Sequence, residues 1–123
     1  MNITIKIEKP SRKPGVTGAD WWIDDNCDLQ VRVAPMGDWR YETCLALHEA
    51  IEAVLCHQAG VTHEQVDDYD IPYEATHPVK CNAGDEPDAP YRKQHGFATA
   101  AERMIAAELG VVWLDYESQV EAL

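Results

Sequence analysis

The chain has 123 residues, 46% of them hydrophobic and 26% charged, which is the composition of one folded domain able to bury a core. Its 22 acids against 10 bases give a net charge of −12, so the surface repels phosphate backbones and ordinary nucleic-acid binding is disfavoured, while a basic partner or mimicry of a phosphate backbone stays open. No run of about 18 apolar residues occurs, and the segment MNITIKIEKP lacks a basic head followed by an apolar core, so neither membrane association through a span nor a secretory signal is expected.

Residues 2–9 alternate, with Ile3, Ile5 and Ile7 on one side and Thr4, Lys6 and Glu8 on the other, which predicts a half-buried strand. Pro10, Pro14, Gly15 and Gly18 mark a loop. Residues 21–23 and 29–33 read as a hairpin around the Asp24-Asp25-Asn26 turn, with Leu29, Val31 and Val33 inward. The region 1–34 is therefore expected to be a small antiparallel sheet. Asp38 is a good N-cap for a helix over 38–59, and Gly60 a good stop. Thr62 and Gln65 form a capping-box pattern for a short helical turn through Tyr69. The rest of 61–89 reads as irregular, broken by Pro72, Pro78 and Pro87 and carrying Asp85, Glu86 and Asp88. Pro90 suits the first turn of a second long helix over 90–109, ended by Gly110. A short helix from Asp115 completes the 110–123 tail. The expected architecture is a single α+β domain, a small antiparallel N-terminal sheet packed on two long helices.

At about 100° per residue, the first helix places His48 in the middle of an apolar stripe. Cys44, Ile51 and Leu55 lie to one side, Tyr41 and Leu45 to the other, with Glu52 one turn on and Glu49 at the edge. His57 points to the opposite side. The second helix repeats the pattern, with His95 central and Glu102 two turns below it among Tyr91, Ala98, Ile105 and Ala106. Packing the two stripes together brings His48, Glu52, His95 and Glu102 into the interior. Burying two carboxylates and two imidazoles without partners costs several kcal/mol each. A divalent cation offsets that cost, and neutral His with ionised Glu is a natural ligand set for Zn²⁺. The alternative is a metal-free network, with the glutamates paired to Arg92, Arg103 or the histidines themselves.

The segment Leu45-Ala46-Leu47-His48-Glu49-Ala50-Ile51-Glu52 resembles the active-site helix of zincin metallopeptidases, whose motif is HExxH; here it reads HExxE. The resemblance implies a minimal zincin-like core, a ligand set with His95 from the later helix in place of the usual second histidine, and Glu49 as general base. It implies metal-dependent hydrolysis of a peptide or amide bond in a peptide or protein substrate. The chain is also similar to small proteins encoded in phages and prophages, through residues 36–41, the HExxE helix and 89–102, which implies a bacterial cytoplasm as its setting. If Glu52 and Glu102 both ligate with both histidines, the site is closed, and closed zinc sites are structural. The second function class is accordingly an acidic, non-enzymatic binding or inhibitor protein, its His–Glu pairs forming a structural metal site or a buried polar network.

Other groups offer less. Asp67, Asp68 and Asp70 form an acidic cluster without EF-hand spacing and read as a solvated turn. Cys27, Cys44, Cys56 and Cys81 contain no CxxC pair and are expected to be reduced thiols. Cys81 and His77 with Cys56 or His57 lack paired metal-site spacing. The serines Ser11 and Ser118 have no triad context, and no Gly-rich phosphate loop is present. Neither helix has the Glu-x-x-His spacing of di-iron bundles. Trp21, Trp22, Trp39 and Trp113 read as core and sheet-face anchors. The loops 9–19 and 71–89 are expected to frame the cleft.

Overall fold

The structure is a computed structural model that describes residues 1–78 and 80–123. Three strands come first, β1 (Ile3–Ile7), β2 (Ala19–Ile23) and β3 (Leu29–Val33). Among the described residues four helices follow, α1 (Trp39–Ala59), α2 (His63–Thr76), α3 (Arg92–Glu108) and α4 (Trp113–Glu121), with a 3₁₀ turn at Ala83–Asp85 between α2 and α3. The α+β architecture, an N-terminal sheet against long helices, is as the sequence suggests.

The sheet order is β1-β3-β2. β2 and β3 form the expected antiparallel hairpin, held by Asp24, whose carboxylate accepts from the backbone of Asn26 and Asp28. β1 instead runs parallel to β3, so the sheet is mixed. The long 8–18 segment gives the chain room to cross from β1 and enter β2 on the far side of β3. In this register Ile3, Ile5 and Ile7 stand beside Leu29, Val31 and Val33 on the same face. The β3 row is fully buried, each side chain contributing roughly 1.5–3 kcal/mol. The β1 row corrects the expectation of an inward strand: Ile3, Ile5 and Ile7 are 52%, 42% and 44% exposed. Their face is right, but α1 covers β2 and β3 and leaves β1 at the margin.

α1 starts and stops where its caps dictate. Asp38 accepts from the backbone N–H of Arg40, and Gly60 takes a left-handed conformation (φ 74°) that returns its N–H to the helix end. Ala46 and Ala53 are buried on it, as are Cys44, Leu45 and Cys56. Its principal helical neighbour is α3. The Thr62 capping box opens α2 as expected. α2 then corrects the irregular reading of 71–76: the helix continues through Pro72 to Thr76. Proline there forfeits one backbone hydrogen bond. Two tyrosines a turn apart compensate, Tyr69 donating to Asp88 and Tyr73 to Glu86, which ties the following loop onto the helix. α3 begins at Arg92, so Pro90 precedes the helix rather than sitting in its first turn. α4 begins at Trp113, two residues before the expected Asp115. Among the four tryptophans, Trp21 is buried and Trp22 is flanked by the guanidiniums of Arg12 and Arg32, while Trp39 corrects the anchor reading by standing 66% exposed. Among the described residues, no helix is long and apolar enough to cross a membrane.

Candidate metal centre

α1 and α3 pack along the two stripes, and His48, Glu52, His95 and Glu102 are all buried between them. The imidazoles of His48 and His95 meet edge-on, with ring centroids 4.9 Å apart. Both turn a nitrogen toward one oxygen of Glu52: His48 Nε2 lies 3.3 Å and His95 Nδ1 2.9 Å from Glu52 Oε2. One ligand atom from each of His48, Glu52 and His95 therefore falls within 4.8 Å of the other two. These three residues form a group able to hold a metal ion.

The outward-facing atom of each residue is held from behind. His48 Nδ1 is 2.8 Å from Glu102 Oε1. The second oxygen of Glu102 accepts a hydrogen bond from the Tyr116 hydroxyl on α4. Glu52 Oε1 accepts from the indole N–H of Trp21 on β2 at 3.0 Å. His95 Nε2 is 3.2 Å from Asp85 in the 3₁₀ turn. Such partners fix which ring nitrogen faces inward and how each side chain is turned. Glu102 thus occupies the far side of His48, with both oxygens engaged, rather than the common point. Neither Arg92 nor Arg103 pairs with the glutamates; Arg103 stacks over Trp113.

The turn carrying Asp85 approaches closely because residue 84 is glycine. A Cβ built on Gly84 would lie 2.5 Å from Cγ of His95, so an alanine there must displace turn or ring. Asn82 holds this turn by accepting from the Gly84 N–H.

The electrostatics follow from burial and partners. Burial alone would lower the His48 pKa; carboxylates on both ring nitrogens outweigh it and push it up to about 11. Burial likewise favours a neutral Glu52, yet its hydrogen bonds to the two histidines hold it well below the usual carboxylate range. Glu49 makes no such bond, and loss of water together with the nearby Glu52 charge pushes its carboxyl up. Tyr116, desolvated beside Glu102, is raised far above the phenol value and keeps its proton to donate.

His48, Glu49, Glu52, His95 and Glu102 all line a cleft of about 570 Å³. Residues 15–19 and 80–83, from the two expected framing loops 9–19 and 71–89, contribute to its walls. The acidic cluster corrects the solvated-turn reading: it is helical and two of its members are engaged. Asp67 accepts from Arg12 and Lys13, and Arg12 also forks onto buried Asp20, which joins the 10–18 loop to α2 and β2. Asp70 accepts from Tyr91. The cysteine–histidine grouping is not assembled among the described residues: Cys56 is buried, Cys81 is exposed, and His77 stacks on Tyr73.

Trp21, Gly84, Asp85 and Tyr116 escape the sequence reading of the site. They come from a strand, a turn and a short helix, and no spacing links them to the histidines. Comparison with protein-family models, curated proteins and solved structures finds no match.

Proposed function

We propose that the protein binds zinc through His48, Glu52 and His95 and hydrolyses a peptide or amide bond in the adjoining cleft. The observation that carries this reading is the division of labour in each of the three residues, one atom facing a shared point and the other held by Trp21, Asp85 or Glu102. A purely structural pair of histidines needs no such common point. Three protein ligands leave a tetrahedral ion one open position, the arrangement of catalytic rather than structural zinc. A bound Zn²⁺ would supply Lewis acidity for a substrate carbonyl. Glu49, following His48 on the cleft side of the helix and free of any hydrogen-bond partner, takes a proton from the attacking water and passes it to the leaving amine. The water oxygen bonds to the carbonyl carbon as the C–N bond breaks.

The test is metal content by mass spectrometry on untagged protein, beside a His48→Ala/His95→Ala double variant. About one zinc per chain, lost in the double variant, is expected. Glu49→Gln should then keep the metal and lose hydrolysis. No metal in the wild-type protein, even after added zinc, removes the enzyme reading. It would leave a second reading, favoured by the carboxylates on both nitrogens of His48: a protonated histidine stapling two helices of an acidic binding protein.

A further inference from the structure

Glu52 and Glu102 bring four carboxylate oxygens to the seam of α1 and α3, and three of the four are engaged away from the point that the histidines share. Glu102 Oε1 lies 2.8 Å from Nδ1 of His48, on the far side of that ring. Glu102 Oε2 accepts from the Tyr116 hydroxyl. Glu52 Oε1 accepts from the Trp21 indole N–H at 3.0 Å. Glu52 Oε2 alone faces both imidazoles. Tyr116 therefore acts on a residue behind His48, whereas Trp21 acts directly on one of the three candidate ligands. Trp21 is itself firmly held. It is buried on β2, opposite fully buried Val31 in the sheet register. The His63 ring meets it edge-on, with centroids 6.4 Å apart, and His63 Nδ1 in turn accepts from the backbone N–H of Ile23. The indole has one donor and no acceptor, and a buried donor without a partner is costly. The packed ring thus keeps its N–H on Oε1.

A carboxylate binds a metal ion through one oxygen or through both. Bound through both, Glu52 would take up the position that three single-atom ligands leave open on a tetrahedral ion. That position is where a water or a substrate carbonyl binds. We propose that Trp21 is a positioning residue that restricts Glu52 to one metal–oxygen bond, through Oε2, and so keeps that position free. The proposal rests on metal binding by His48, Glu52 and His95. It adds what limits the number of bonds those residues make. The limit comes from the sheet: β2 reaches across to the seam and holds Oε1 from the side opposite the histidines. A partner of this kind orients a ligand without touching the ion.

The experiment loads the protein with Co²⁺, whose visible absorption reports its coordination number. The wild-type protein is expected to show the intense visible bands of four-coordinate Co²⁺, three protein ligands and a water. Trp21→Phe keeps an aromatic ring and removes the N–H. At saturating metal it should still hold about one ion per chain, with the bands weakened to those of a five-coordinate ion as Glu52 turns its second oxygen inward. A benzothienyl analogue of tryptophan, placed at position 21 by nonsense suppression, keeps the shape of the indole with sulfur in place of the N–H. It should show the same weakening, and it decides the matter if Trp21→Phe fails to fold. An analogue with wild-type cobalt bands, or one that no longer holds the ion, overturns the role of Trp21. A wild-type ion that already has five ligands also overturns that role and leaves metal binding standing. A wild-type protein that takes up neither Co²⁺ nor Zn²⁺ overturns both.

Discussion

Along the flank of α1 that meets α3, two imidazoles and two carboxylates have been taken out of water, and each is held by partners from other elements. Along the opposite flank, Leu47 and Ala50 are half-buried and Val54 is 40% exposed, with the polar Arg40, Thr43, His57 and Gln58 among them. A helix that merely served the core would bury apolar side chains at the α3 seam instead. The desolvation of four ionisable groups costs several kcal/mol each before their mutual attraction is counted, and apolar residues of similar volume would avoid that cost. The polar flank is thus organised around what it can bind.

The strongest way to break this contrast is Glu52→Ala. It removes the common partner of both histidines and leaves Trp21 Nε1 without its acceptor. Breaking one member out of a buried charged network costs about 3–5 kcal/mol. The expected result is a loss of that size in urea unfolding, together with loss of metal binding. A loss below about 1 kcal/mol would show that the α1–α3 seam does not depend on its polar network.

A subtler pair of substitutions separates close approach from helix propensity. Gly84→Ala drives a methyl group into the His95 ring, so the turn carrying Asp85 must retreat. Overpacking predicts a cost of about 1–3 kcal/mol. Loss of the outer partner predicts metal affinity reduced about 10–100-fold. Gly96→Ala, one residue beyond His95 in α3, meets nothing within 4 Å. It should stabilise the protein by about 0.5–1 kcal/mol with metal affinity unchanged. Thermal unfolding and a zinc-competition titration read both effects. Equal behaviour of the two variants would rule out the Gly84 contact as a determinant of the site.

The residues at the heart of the site were legible because helical geometry is local: 100° per step puts His48 beside Glu52 and His95 above Glu102 with no tertiary knowledge. The caps Asp38, Gly60 and Thr62 were legible for the same reason. β1 shows the limit. Alternation gave the correct face for Ile3, Ile5 and Ile7, but whether a face is covered depends on where a distant helix lands. Pro72 shows another: its local cost was readable, while the tyrosine hooks onto Glu86 and Asp88 that hold α2 together were not. Asp85 and Tyr116 reach the histidines through folds of the chain that no periodicity encodes.

A last effect concerns the wall of the polar flank and gives it a pH dependence. Asp70 is desolvated, and although Tyr91 donates to it, burial and the neighbouring Glu74 raise its pKa to about 6. In the unfolded chain an aspartate titrates near about 3.9. Between those values the folded state holds a proton that the unfolded state has released, so this group's contribution to stability falls as pH rises from 4 to 6 and stays low above that. Asp70→Asn keeps an oxygen to accept from Tyr91 and removes the buried charge. The variant should therefore be more stable than the wild type by about 1–3 kcal/mol at pH 7. The advantage should shrink through pH 6 and vanish below pH 4, as measured by urea unfolding at each pH. Asp67, a turn away on the same helix, is shifted oppositely, since the hydrogen bonds from Arg12 and Lys13 overcome its burial. A difference between Asp70→Asn and wild type that is flat from pH 4 to 7, or that grows on acidification, would mean that Asp70 shares the paired condition of Asp67 and that the cleft wall carries no desolvated carboxylate at this position.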